Sequence, residues 1–238
     1  MKKLKQWAKE IKHSGLAHLI KIKKTEQYYK HKLKNIYLNY PDIYTNIETL
    51  NGQSINKDSR LNQGTAYYAI KKGIEVSGID YSDITLLDIG CGYGKTLNFG
   101  MLQKCKQVIG IDLDVTAVNQ AIANCSLMKK NGFNTPFSVH NTDASQYTIP
   151  ENVNVIFMAN PFGKKTMEAV AKNIIQNLQQ YNKEIYIIYF VPVHQDVYLN
   201  YKECTKVYES FTRHKKESEL VIFKVTNIYQ YNKVPLTN

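Results

Sequence analysis

The sequence predicts an α/β fold: a mostly parallel β-sheet with helices on both faces. Three observations predict it. Short, continuously apolar runs, such as Ile84, Leu86, Leu87 and Ile89, alternate with stretches of helical periodicity, as strands covered on both faces do. Glycines at 90, 92 and 94 stand between the first such run and a helical pattern starting at Lys95. The second run closes on an acidic residue, Asp112, twenty-two positions after Gly90.

In chain order, Leu4, Trp7, Ala8, Ile11, Leu19 and Ile22 fall largely at helical spacing among lysines, with a break at Ser14-Gly15. This predicts a basic helical arm. Residues 1–34 hold 11 Lys and 2 Glu out of a formal net charge of +11, which leaves 20 basic against 18 acidic residues elsewhere. An acidic partner is therefore to be sought at the arm. Three readings of it stay open: an apolar stripe packed on its own domain, attachment to an anionic membrane surface, and nucleic-acid binding with Tyr28 and Tyr29 as stacking platforms.

Pro41, Gly52 and many Asn, Asp and Ser between residues 40 and 60 predict a linker or lid, and Asn62 to Gly78 a helix. After the first strand come a short helix over Thr96–Lys104, a strand from Gln107 to Asp112 and a helix from Val115 to Lys130 capped by Asp114. Pro136–His140 and Val153–Met158 predict strands, Thr166–Tyr181 an amphipathic helix and Ile185–Val191 a fifth strand. Thr205–Phe211 and Leu220–Val225 lie either side of a charged turn.

The glycine loop is a nucleotide site, because residues without Cβ let the backbone turn sharply and approach a ligand. Its spacing argues against NAD, since a dinucleotide loop needs a third glycine where this chain has Lys95. Asp88 argues the same way, because a carboxylate beside a pyrophosphate is a like-charge pair. The phosphate-cradling Gly-x-x-x-x-Gly-Lys-Ser/Thr spacing is not met either.

Asp88-Ile89-Gly90-Cys91-Gly92-Tyr93-Gly94 resembles the first motif of the class I S-adenosylmethionine-dependent methyltransferases. The resemblance covers residues 56–226 and implies a seven-stranded Rossmann-like sheet closed by an antiparallel hairpin of Thr205–Phe211 and Leu220–Val225. It implies that Asp88, Gly90, Cys91 and Gly92 cradle the methionine part of S-adenosylmethionine, Asp112 and Leu113 the ribose, and Asp143 and Ala144 the adenine. Asn160-Pro161-Phe162-Gly163 stands where family members that methylate amino groups carry Asn-Pro-Pro-Tyr or Asn-Pro-Pro-Phe, so Asn160, Pro161 and Phe162 border the substrate. The single proline weakens the nitrogen-methylating reading and is similar to a small bacterial subgroup. That subgroup has an Asp-Thr-Ser stretch followed by a tyrosine, to which Lys57-Asp58-Ser59-Arg60 and Tyr67 or Tyr68 bear a looser likeness, so Tyr67 joins the expected cofactor residues. His194, in the loop after the fifth strand, is the candidate general base for a hydroxyl acceptor.

The organisation expected is an arm and linker over 1–55 and a catalytic domain over 56–238. Four scattered cysteines without a Cys-x-x-Cys pair indicate neither zinc nor disulfides. No apolar stretch approaches the roughly 18 residues of a membrane span, and the lysine-rich start lacks a signal's apolar region, so the expected location is cytoplasmic, peripheral at a membrane if the arm binds lipid. Two competing functions remain: a NAD-dependent or nucleotide-sugar enzyme, and a non-catalytic protein that binds RNA or an anionic membrane through the arm.

Overall fold

The computed structural model describes residues 16–40, 65–181, 183–211 and 217–227. The expectations at Leu4 to Ile11, at Lys57 to Arg60 and for a boundary at residue 55 lie outside the described residues. Seven strands form one sheet: β1 Thr85–Ile89, β2 Gln107–Asp112, β3 Phe137–Asn141, β4 Val155–Ala159, β5 Glu184–Phe190, β6 Cys204–Phe211 and β7 Ser218–Thr226. They lie in the order β3-β2-β1-β4-β5-β7-β6. Neighbours from β3 through β5 are parallel, and β7 pairs antiparallel with both β5 and β6. This is a doubly wound, Rossmann-like sheet whose winding reverses between β1 and β4. Such a reversal leaves a crevice at the carboxyl ends of those strands.

Helices cover both faces. α1 (Leu16–Lys32), α2 (Tyr67–Ser77), α3 (Lys95–Leu102) and α4 (Val115–Lys130) lie on one, and α5 (Lys164–Gln180) and the short α6 (Asp196–Leu199) on the other. Because strand side chains alternate, β1 sends Leu86 into the first core and Leu87 and Ile89 into the second. All five β1 residues are buried, which is why the strand carries apolar side chains on both faces, Leu86 on one and Leu87 and Ile89 on the other. α4 keeps the boundaries its sequence predicts, with Asp114 accepting from the Thr116 N–H at 2.8 Å. α2 starts five residues later than predicted and stops as predicted, with Gly78 left-handed at φ 69°.

The described part of the basic arm packs on the domain. Tyr29, Leu33 and Ile36 of this segment are buried in the first core, and the Tyr29 ring lies 5.0 Å from Phe99 and 5.1 Å from Tyr67. Asn124, fully buried on α4, ties the following strap to the glycine loop. Its amide oxygen accepts from the Asn39 N–H at 3.0 Å, and its amide nitrogen donates to the carbonyls of Asn39 and Tyr93 at 2.8 and 2.9 Å. Asn124→Leu strands three backbone groups at once and is expected to lower stability by about 3 kcal/mol, measured by urea unfolding.

Candidate active site

A cleft of about 530 Å3, its open mouth included, lies at the reversal point. It is lined from the carboxyl ends of four adjacent strands: Gly90 after β1, Ile111 to Leu113 at β2, Thr142 to Ala144 after β3, and Pro161, Phe162 and Thr166 beyond β4.

The floor is the glycine loop. The N–H groups of Gly90 and Cys91 both donate to the Ile111 carbonyl, at 2.9 and 3.0 Å, which folds the loop back onto β2. Gly90 has φ 76°, and a Cβ there would stand 2.6 Å from Pro161 Cβ, so β1's loop and β4's loop touch only because this residue has no side chain. Gly110 is a second tight place: a Cβ would lie 2.7 Å from Leu97 and 2.9 Å from Cys91 Sγ.

Two carboxylates face this floor. Asp112 accepts from the Gly92 N–H at 2.8 Å through one oxygen and from the Asp114 N–H at 2.9 Å through the other. Burial raises its pKa, while those N–H groups act against the rise. One lone pair per oxygen stays available to a ligand's hydroxyls. Asp143 uses a single oxygen to accept from the N–H and hydroxyl of Ser145, at 2.8 and 2.7 Å. Its second oxygen leaves an acceptor for an amino group.

Of the residues expected at a cofactor, Gly90, Asp112, Leu113, Asp143 and Ala144 line the cleft, as do Pro161 and Phe162 from the substrate set. Gly92 shapes it indirectly through Asp112. Cys91 is buried behind the loop, beneath Gly110. Tyr67 also lies away from the lining. Its ring is packed between Tyr29 and Phe99 with the Lys95 ammonium 4.2 Å from its centroid.

The structure corrects the argument made from Asp88. The residue is 3% exposed on the first-core side of β1, does not line the cleft, and burial pushes its pKa up to about 8. A carboxyl group buried in the first core is not the charge that a phosphate in the cleft would meet. Charge facing the ligand comes from Asp112 and Asp143 instead.

Two polar groups sit at neighbouring strand ends with a buried atom unsatisfied among the described residues. One is Asn160 Oδ1, just past β4, on a backbone with φ 46°. The other is His194 Nε2, in the loop after β5, whose backbone N–H donates to the Tyr189 hydroxyl at 3.3 Å. That loop opens on Val191 at φ 51°, a conformation β-branched residues avoid, held by an N–H bond of 2.8 Å to the Glu219 carbonyl. Strained backbone and orphaned polar atoms at adjoining strand ends are features of working sites. Ile111, Thr142 and Thr166 line the cleft without having been singled out in the sequence. Thr142 adjoins Asp143 and was open to detection, whereas Thr166 comes in only through the angle at which α5 leaves Gly163.

Residues 86–181, which hold every cleft-lining residue, match the family of methyltransferase domains. The match runs from β1 through α5. Solved structures share its fold at low identity. The methyltransferase YhhF of Escherichia coli is 15% identical with a TM-score of 0.55, over 71% of this chain and 92% of that one. A Haemophilus influenzae protein assigned as a methylase is 18% identical with a TM-score of 0.50, over 67% and 99%. A dimethyladenosine transferase of Plasmodium falciparum is 18% identical with a TM-score of 0.50, over 71% and 65%. No curated protein matches the sequence. Among the described residues no group of His, Cys, Asp and Glu is arranged to hold a metal, and no helix is long and apolar enough to cross a membrane.

Proposed function

We propose that this chain is an S-adenosylmethionine-dependent methyltransferase acting on a nitrogen or oxygen nucleophile. The observation that carries the reading is the pairing of Asp112 and Asp143 in one cleft, each with free acceptor capacity, over a glycine floor that a single Cβ would fill. The residues fit the cofactor's parts. Asp112, with Leu113 beside it, would take the ribose hydroxyls, Asp143 and Ala144 the adenine, and the Gly90 loop the methionine end, with Asp88, Cys91 and Gly92 supporting that loop from behind.

When bound, the cofactor supplies an electrophilic methyl group on a sulfonium sulfur. The chain supplies alignment, worth up to about 7 to 11 kcal/mol in favourable cases. Asn160 Oδ1 would accept a hydrogen bond from the incoming N–H or O–H, Pro161 and Phe162 would wall the acceptor in, and His194 Nε2 would take the proton of a hydroxyl. The Asn-Pro-Phe form groups the chain with the small bacterial methyltransferases noted above, at work in the cytoplasm.

Calorimetric titration of the full chain with S-adenosylmethionine, and with NAD in parallel, tests the class. Micromolar binding of the first and none of the second is expected. A folded chain that binds neither overturns the proposal, and NAD binding replaces it with an oxidoreductase. With an acceptor in hand, His194→Ala is expected to lower kcat about a hundredfold while cofactor affinity is kept. Undiminished turnover would remove the histidine from the mechanism and point to an amine acceptor.

A further inference from the structure

α1 occupies a particular place. Near its start, His18 Nε2 meets Glu219 Oε2 at 2.7 Å. Glu219 opens β7, and its carbonyl holds the Val191 N–H at the carboxyl end of β5. Two turns on, Glu26 pairs with Lys95 at 2.9 Å and accepts from the Tyr67 N–H. Lys95 is the first residue after the glycine loop, at the carboxyl end of β1. The eight residues between these anchors rise about 12 Å, and the three strand spacings from β7 through β5 and β4 to β1 amount to about 14 Å. The helix therefore runs along the catalytic rim, past the strand ends that carry Asn160 and His194.

The face it turns outward is basic and aromatic. Lys21, Lys24 and Lys32 are exposed, and the acid among them, Glu26, is committed to Lys95. Tyr28 is 55% exposed and Tyr37 in the strap 89%. The helix's buried side, Leu19 and Tyr29, is already used against its own domain, and its exposed aliphatic side chains, Leu16 and Ile20, stop within the first two turns while the exposed lysines continue to Lys32. Cations at helical spacing, with the half-exposed Tyr28 ring among them beneath the Lys32 ammonium at 5.6 Å and Tyr37 open in the strap, suit a chain of phosphates and bases, the cations taking the phosphates and the rings stacking on the bases.

We propose that the outward face of α1 docks single-stranded RNA along the rim at which the methyl acceptor enters. The assignment of that rim to an acceptor rests on the proposed function; the docking surface itself does not.

The test is fluorescence anisotropy of a labelled oligouridylate, about a dozen nucleotides long, with the full chain at ~50 and ~200 mM salt, beside cofactor calorimetry on the same preparation. Binding that weakens steeply with salt is expected. Joint Lys21→Glu and Lys24→Glu exchange should weaken it at least tenfold and make the log–log salt slope shallower by about 1.4, or 0.7 per lost phosphate contact. Tyr28→Ala should weaken it at least fivefold with the slope unchanged. Cofactor affinity and melting temperature should hold in each variant. No RNA binding by a folded chain, binding that survives the double exchange, or capture by phosphatidylserine vesicles without RNA binding would each overturn the proposal. Loss of cofactor binding alone, with RNA binding intact, would sink the methyltransferase reading and leave the surface standing.

Discussion

Asp112→Ala is expected to weaken S-adenosylmethionine binding by at least a hundredfold and to destabilise the free protein as well. The carboxylate is engaged on two sides. Toward the protein it accepts the N–H groups of Gly92 and Asp114, at 2.8 and 2.9 Å, and so holds the glycine loop against β2. Toward the cleft it would accept two ribose hydroxyls. Hydrogen bonds to a charged acceptor contribute about 1.5 to 3 kcal/mol each, so losing the ribose pair alone accounts for the hundredfold. Stranding the buried Gly92 N–H adds a stability cost of about 1 to 3 kcal/mol. Calorimetry reads the first effect and urea unfolding the second. Asp112→Asn separates them, because one amide oxygen still accepts while the amide nitrogen confronts another donor. Wild-type affinity in the alanine variant would remove Asp112 from the cofactor site.

Stability should fall as pH rises from about 4 to about 8, and Asp88→Asn should flatten that fall. Asp88 is buried in the first core, and its pKa is raised from 3.8 to about 8, chiefly by burial, with Asp112 adding to the rise and a hydrogen bond from Thr96 opposing it. Between those two values the native chain keeps a proton that the unfolded chain has released. Raising the pH therefore favours the unfolded state, and the loss levels off above about 8. A shift of this size amounts to an effect of order 5 kcal/mol, a large share of a domain's stability. Asp112, also raised by burial, adds a contribution of the same sign. The asparagine variant should match the native protein near pH 4 and exceed it increasingly toward pH 8 in urea titrations. Parallel profiles for the two proteins would show that Asp88 ionises in both states alike.

Residues 84–163 were legible in the sequence to a degree that followed the range of the forces involved. α4 was readable at both ends because its cap is a contact over two residues, Asp114 to Thr116. β1 was readable because burial on both faces puts apolar residues at adjacent positions, Leu86 and Leu87. The cleft's carboxylates could be found because parallel sheets put ligands at strand ends, and each of these acids follows a strand. The packing of Tyr67 was not legible, for the opposite reason. Its environment is made by Tyr29, thirty-eight positions earlier, and Phe99, thirty-two later, and no local pattern announces either contact. Asn124 escaped notice because a polar residue inside a helix reads as a solvated one until the strap it binds, eighty-five residues away, is in place.

By itself the sequence determined the alternation of strands and helices, the glycine loop, and the acids that end β2 and follow β3. These rest on periodicity, capping and missing side chains, which act over a few residues. Tertiary structure alone decided that Asp88 sits buried behind the cleft while Asp112 and Asp143 face it, and that a lysine-rich helix is anchored through His18 to Glu219 and through Glu26 to Lys95. Desolvation and long-range packing settle such matters, and both depend on neighbours that only the folded chain assembles.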